Sequence, residues 1–338
     1  MAIGIVLRLS GGIVMKHHRR IFLQLAAGAA ALPAISRVTW AQAYPTRPVH
    51  WIVGYPAGGG TDIFARLMGQ SLSERLGQPF IIENRSGAAS TIATELVARA
   101  PADGYALLET DAAAAINATL YDNLNFNFIR DFVVIGIIRT PLVMLVHPSV
   151  PAKTVPEFIA YAKGNSGKIS FASSGVGSPL QAAGEMFKMM TDINMTHVPY
   201  RGAAPALTDL LGGHVQVLFV GATPVIDHIR AARLRALAVT TATRLELLPD
   251  IPSMADFVPG YEASQWFGAG LRKDTPAEIV DKLNKQINTT LTEPTMKARL
   301  TDLAATAFTA SPDDFGKFIA EETEKWGKVV RAANIKPE

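Results

Sequence analysis

Val49-His50-Trp51-Ile52-Val53-Gly54-Tyr55-Pro56-Ala57-Gly58-Gly59-Gly60-Thr61-Asp62 sets the reading of this chain. Val49–Val53 is a short apolar run and predicts a buried strand. Gly58-Gly59-Gly60 is a tight turn. From Thr61 the period changes: Ile63, Phe64, Leu67, Met68, Leu72 and Leu76 recur at helical spacing, and Gly77 closes the helix. A strand that runs through glycines into a helix opens an α/β unit. It is also an anion cradle on physical grounds. Glycine lets the backbone approach a ligand closely, and the first helical turn offers unpaired N–H groups and partial positive charge. Tyr55, Ala57, Gly58, Gly59, Gly60, Thr61 and Asp62 are therefore candidate ligand contacts. A plain strand–helix turn has the same composition, so this segment alone leaves both readings open. No Gly-Lys-Ser/Thr follows, and glycines at 54, 58, 59 and 60 do not make G-x-G-x-x-G, so neither nucleotide motif is present.

The alternation continues downstream. Phe80–Glu83 and Tyr105–Leu108 predict strands around a helix at Thr91–Ala100. Val133–Ile138 and Leu142–His147 predict two buried strands near a crossover. Ile169–Ala172, Val215–Phe219 and Leu237–Val239 predict further strands between helices. Thr154…Glu157, Ser178…Gln181 and Thr275…Glu278 have the spacing of capping boxes. The tail is expected to be all helix, with starts at Pro276 and at Pro312, the latter capped by Ser311. The class is α/β, as two lobes joined by more than one crossing strand.

A second loop has the same design. Ser173-Ser174-Gly175-Val176-Gly177-Ser178 follows a strand and opens a helix, which makes Ser173, Ser174, Gly175, Gly177 and Ser178 candidate contacts. Leu180 stands where a third glycine would complete a dinucleotide fingerprint. Two cradles about 115 residues apart suggest two lobes facing one ligand. His197–Gly202 is a third loop, where Arg201 is either a bidentate carboxylate contact or a solvated charge.

Composition narrows the function. The 338 residues carry 32 Lys+Arg, 29 Asp+Glu and no Cys. Disulfides, thiolate metal sites and thiol nucleophiles are excluded. A sequence pI near 9.0 invites nucleic acid. The first acid, however, is Asp62, and the five basic residues Arg8, Lys16, Arg19, Arg20 and Arg37 all precede Tyr44. Arg19-Arg20 is followed by a short apolar run and by Ala41-Gln42-Ala43, which reads as an export signal over residues 1–43, cleaved after Ala43. Arg19-Arg20-Ile21-Phe22-Leu23 resembles a twin-arginine pattern, with a Sec signal as the alternative. Met1–Val14 is unusual for an n-region and points to Met15 as the start. Without those residues, 27 basic side chains face 29 acidic ones, a formal charge of −2. No basic run remains for nucleic acid. No G-x-S-x-G, no H-E-x-x-H and no metal-ligand spacing of histidines occurs, so no catalytic residue, metal or cofactor is assigned.

Several runs together resemble the tripartite tricarboxylate transporter receptors, also called Bug receptors. They are Tyr44–Pro48, the glycine loop through Asp62 and Arg66, Gly77–Phe80, Glu83-Asn84-Arg85, Asp103-Gly104-Tyr105, Ala115-Ile116-Asn117, Pro148–Lys153, His197–Gly202, Pro205–Gly213, Leu234–Thr240, Pro249–Pro252 and Gly260-Tyr261. The resemblance spans essentially all of the chain after residue 43. It implies a two-lobed periplasmic binding protein of type II, with doubly wound lobes, a hinge and a cleft between them. Lobe 1 would be residues 44–142 plus 263–338, and lobe 2 residues 143–262. It implies a non-enzymatic periplasmic receptor, expected as a monomer, that closes on a small organic acid and delivers it to a membrane permease. The alternatives are a sensing partner of a membrane kinase and an exported enzyme. Carried over by position, the carboxylate sits on Ala57–Gly60 with Thr61 and Asp62 near, and Ser174–Ser178, Tyr200 and Arg201 close from lobe 2.

Two places depart from the family pattern. Thr110-Asp111-Ala112-Ala113 stands where relatives often carry small hydroxyl residues, and Val220 where an acid often follows the strand's Phe219. An anion at Asp111 suggests an altered ligand, zwitterionic or partly apolar. Alternatively, Asp111 caps the following helix and points away from the cleft.

Overall fold

The computed structural model describes residues 44–121 and 124–337. The expected export signal, its cleavage site and Met15 lie outside the described residues. Pro45–Glu338 groups as one compact unit, and the strands within it hydrogen-bond as two halves that define two lobes.

In the first half, β1 (Val49–Val53) lies parallel between β2 (Phe80–Asn84) and β3 (Ala106–Asp111). β4 (Phe132–Val146) runs antiparallel to a late strand, β9 (Ser264–Arg272), which also pairs with β3. In the second half, β5 (Ser170–Ser173) lies parallel between β6 (Thr196–Pro199) and β7 (Val217–Gly221). β7 and β8 (Arg235–Val239) both pair antiparallel with β4.

β4 is where the halves join. Two strands with a crossover were expected there, yet one strand of 15 residues runs through. Phe132–Pro141 pairs with β9, and Leu142–Val146 pairs with β7. Pro141 cannot donate a ladder hydrogen bond. It stands opposite Ser264 at the last register position with β9, past the end of pairing with β10 (Thr306–Phe308) at Arg139 and before the start of pairing with β7 at Leu142. A bulge at Gly136 bends the same strand. Its φ is +59°, and a Cβ there would lie 2.1 Å from Ile287 Cγ2, so only glycine fits.

Each lobe is covered by helices: α1 (Gly60–Leu76), α2 (Thr91–Ala98), α3 (Ala112–Leu120) and α4 (Phe128–Asp131) in the first, then α5 (Val155–Gly164), α6 (Pro179–Thr191), α7 (Ala203–Leu211) and α8 (Ile226–Arg230) in the second. The tail adds α9 (Ala277–Thr292), α10 (Pro294–Asp302) and α11 (Pro312–Ala332). β10 corrects the expectation of an all-helical tail: Thr306–Phe308 finishes the edge of β4. α11 buries Phe315, Ile319, Trp326, Val329 and Val330. On the same helix, Glu322 accepts from Trp266 Nε1 at 3.1 Å and Trp326 Nε1 at 2.9 Å, so its buried carboxylate is satisfied.

The capping boxes are mostly realised. Thr154, Ser178 and Ser311 each cap a helix through the side chain. Thr275 does not: α9 begins one residue later with Pro276 at the cap and no side-chain bond. Among the described residues, no helix is long and apolar enough to cross a membrane.

Candidate functional site

A cavity of about 250 Å3 opens between the lobes at the end of β1. Its floor is the Tyr55–Thr61 loop and the start of α1. Gly58 takes φ +87°, which turns the chain into the helix, and a Cβ on Gly60 would lie 2.9 Å from Phe267 Cζ. The N-cap of α1 is Gly59, which brings no side-chain cap. The N–H groups of the first turn therefore have no intramolecular acceptor of the usual kind and remain available to an anion.

The loop is pinned from behind. Asp62 is 3% exposed; its Oδ2 accepts from Gly58 N–H at 2.9 Å and from Arg66 Nε at 2.9 Å. Its Oδ1 accepts from Asn84 Nδ2 at 3.0 Å, and Asn84 also donates to the Tyr55 carbonyl at 2.9 Å. Burial pushes the Asp62 carboxyl up, but Arg66, Gly58 and Asn84 outweigh it and hold the group below its ordinary range. Asp62 is thus an ionised staple for the cradle and does not line the cavity.

Beneath the loop lie two more buried acids. Burial, then the nearby Asp111, pushes Glu109 well above the carboxylate range. Burial brings Asp111 to about 7 despite the N–H of Ala113 and the Tyr55 hydroxyl. Asp111 Oδ1 accepts from Ala113 N–H at 3.0 Å and caps α3. Neither Thr110 nor Asp111 borders the cavity.

Lobe 2 closes the roof. Gly202 precedes α7 without a side-chain cap, and the cavity is bordered there by Arg201 to Pro205. A Cβ on Gly202 would lie 3.6 Å from Pro56 Cδ, so the two loops meet across the mouth. Thr223 Oγ1 donates to the Leu303 carbonyl at 2.6 Å, a hydrogen bond between lobes. The walls are apolar: Ile63, Leu67, Ile138, Leu207, Val220 and Phe267. One hydroxyl in the lining, Thr140 Oγ1, is buried without a protein partner, while the Tyr55 hydroxyl is directed at the Asp111 carboxylate.

Of the residues proposed from sequence, Tyr55, Ala57, Gly58, Gly59, Gly60, Thr61, Ser174, Arg201 and Val220 border this cavity. The rest do not border it. Ser173 Oγ lies 2.6 Å from His197 Nε2 and bonds the N–H and carbonyl of Gly175. Ser178 Oγ accepts from Gln181 N–H at 3.3 Å, while Gln181 Oε1 takes the Gly177 N–H at 2.8 Å. His197 Nδ1 lies 3.3 Å from Gln181 Nε2. Burial and then Lys188 lower His197 to about 4, so the ring is neutral, donating from Nε2 and accepting at Nδ1. Gly177 packs against lobe 1, where a Cβ would sit 2.3 Å from Asn117 Oδ1. Tyr200 gives its hydroxyl to Asp209 Oδ2 at 2.6 Å; burial and that carboxylate raise it to about 12. His197–Pro199, read as loop, ends strand β6.

Sequence reasoning missed Ile63, Leu67, Thr140, Gln265, Phe267 and the start of α7. One signal was present. Ile63 is 38% exposed and flanks the buried stripe Phe64, Met68 and Leu72, so apolar side chains lie outside the core face of a helix that begins in a cradle.

Residues 64–335 match the family described as tripartite tricarboxylate transporter family receptor. Protein BugT of Bordetella pertussis is 34% identical over 310 residues, covering 90% of this chain and 95% of that protein. The solved structure of R. palustris Rpa4515 with adipate superposes with a TM-score of 0.83 at 36% identity, over 87% of this chain and 100% of that one. MatC from Rhodopseudomonas palustris with bound malate gives 0.80 at 29% identity, over 85% and 100%.

Proposed function

The chain belongs to the tripartite tricarboxylate transporter receptor family, and from that premise we propose that it is a periplasmic receptor that binds a small organic carboxylate between its lobes and delivers it to a tripartite membrane permease. Residues 1–43 serve as the export signal in this reading. Residues 44–142 with 263–338 move as one lobe, and 143–262 as the other. The switch of β4 partners at Pro141/Leu142 supports that division.

One observation carries the proposal: the uncapped N-terminus of α1 faces a cavity that the other lobe closes. A carboxylate there accepts from the first-turn N–H groups. The Thr140 hydroxyl completes its shell or that of a bridging water. Arg201 reaches the same mouth from lobe 2, so its contact exists only when the lobes are together. A ligand contact confined to the closed state shifts the equilibrium toward closure. The walls favour an acid with an apolar body, closer in chemistry to the adipate of Rpa4515 than to the hydroxylated malate of MatC. Binding and release, without bond making, are the whole of the function.

A thermal-shift screen of residues 44–338 against mono-, di- and tricarboxylates, amino acids and aromatic acids tests this. A ligand at 100 times its Kd stabilises by about 2.7 kcal/mol, several degrees in Tm. Expected hits are acids with an apolar body. Silence across the panel contradicts the carboxylate assignment.

A further inference from the structure

The paired strands β4 and β9 form one wall of the ligand cavity, and their register sets a polar pair into it. Ile138 stands opposite Phe267, Arg139 opposite Trp266 and Thr140 opposite Gln265. Side chains alternate between the two faces of a strand. Ile138, Thr140, Gln265 and Phe267 all line the cavity. The pair between them points the other way. Arg139 lies over the rings of Phe308 and Phe318, 4.7 and 4.6 Å from their centroids, and Trp266 donates to Glu322. Thr140 and Gln265 therefore share the cleft face. Directly opposite residues of an antiparallel pair have Cβ atoms about 4.5–5.5 Å apart.

The two rungs differ in chemistry. The rung of Ile138 and Phe267 is apolar, and Phe267 is the side chain that crowds Gly60 in the α1 cradle. One rung farther toward lobe 2, about 6–7 Å along the strands, stand a hydroxyl and a primary amide. Beyond them Val220 makes the lining apolar again. The Gln265 side chain is half-buried, and no described residue hydrogen-bonds it. Thr140 Oγ1, across from it, is buried without a protein partner. Polar groups left unpaired in an apolar wall cost stability unless water or a ligand satisfies them. Neither side chain is charged, and an amide both donates and accepts. Among the described residues that line the cavity, Arg201 at the mouth is the one cation. The polar rung therefore suits a neutral group, since a carboxylate set there meets apolar walls and no countercharge.

We propose that Gln265 is a specificity-determining residue of this cavity, hydrogen-bonding a neutral hydroxyl or carbonyl that the ligand carries close to its carboxylate. The proposal rests on the carboxylate reading of the α1 cradle, in which Thr140 serves the carboxylate or its bridging water. Gln265, opposite Thr140, acts on the next atoms of the ligand. The apolar walls take the rest of its body.

The test uses residues 44–338 and the best-bound unsubstituted acid of the screen, compared by calorimetric titration with its 2-hydroxy and 2-oxo derivatives. The wild type is expected to bind at least one derivative about tenfold more tightly than the parent acid. Gln265→Leu narrows that gap to within about twofold. Gln265→Glu, once ionised, only accepts hydrogen bonds, so the preference shifts from the 2-oxo toward the 2-hydroxy acid by about tenfold. A merely structural role for Gln265 does not move that ratio. Equal binding of the parent and both derivatives by the wild type overturns the inference, as does a gap that survives Gln265→Leu. Either result leaves the carboxylate reading standing. If no acid binds at all, the carboxylate reading falls and this inference falls with it. If Gln265→Leu does not fold, the oxo-to-hydroxy ratio in Gln265→Glu decides.

Discussion

Two loops of this molecule have the same outline and opposite chemistry. Both Tyr55–Thr61 and Ser173–Ser178 leave a parallel strand, pass through glycines and open a helix. The first presents Gly59 at the helix cap and leaves the first-turn N–H groups free. The second presents Ser178, whose hydroxyl takes Gln181 N–H, while Gln181 takes the Gly177 N–H and braces His197. A helix that has capped itself has nothing left to offer an anion. Glycine content alone does not leave a helix start open; it takes an unfilled cap that also faces the cavity. α7 combines the two features, since its cap is Gly202 and its first residues border the cavity.

The sharpest way to break the comparison is to give the first loop what the second has. Gly59 has φ −80° and ψ 170°, which any residue adopts, and a Cβ there would meet nothing closer than 3.8 Å. In Gly59→Asp the new carboxylate takes the N–H groups for itself. Affinity for a carboxylate ligand falls by about 100-fold or more, while Tm stays level or rises slightly, because Asp caps better than Gly by only a few tenths of a kcal/mol. Calorimetric titration and a melting curve check the two halves.

The next largest effect falls on the staple. Asp62→Ala strands the Gly58 N–H and Asn84 and releases Arg66. Stability drops by about 2–3 kcal/mol by urea denaturation, and affinity falls with it, because Asp62 acts by holding the cradle rather than by touching the ligand.

pH separates the loops again. His197 in lobe 2 is neutral when folded, with its pKa lowered to about 4. Between pH 4 and 6.5 the unfolded chain binds the extra proton, so this group's contribution is lost as pH falls through that window. Asp111 in lobe 1, raised to about 7, does the reverse: the folded chain holds the proton, and stability is lost as pH rises from about 4 to 7. The two slopes oppose in the wild type. Asp111→Asn steepens the loss on acidification, and His197→Gln removes it, each by on the order of 1–3 kcal/mol across the window in denaturant titrations.

The smallest effect is expected at the second loop's cap. Ser178→Ala costs about 1 kcal/mol of stability and moves ligand affinity by about twofold or less. An affinity loss far beyond that would make Ser178 a ligand contact and erase the distinction between the loops.

How far the sequence could be read follows from the same physics. The strand–glycine–helix start at Val49–Leu76, the strands around it and the caps at Thr154, Ser178 and Ser311 rest on local pattern, and local pattern is visible in one dimension. The glycine turn and the uncapped helix start on which the proposal rests were legible for the same reason. The unbroken β4 was not, because Pro141 reads as a break until its position between two sets of ladder partners is known. β9 and β10 were invisible because their pairing partners lie more than a hundred residues away. The cavity walls were hidden for a related reason: Thr140, Gln265 and Phe267 meet the α1 loop only when β4 and β9 pair. The cap at Ser178 was legible too, but the cradle read beside it was not found, because that cap fills the helix start.

The central claim is that a carboxylate sits on the free N–H groups of α1, and one titration tests it most directly. The best acid from the screen and its neutral primary amide, identical but for charge, are titrated into residues 44–338 by calorimetry. The account predicts that the amide binds at least about 100-fold more weakly to the wild type, and that Gly59→Asp narrows this gap to within about tenfold. Equal affinity of acid and amide for the wild type would contradict it.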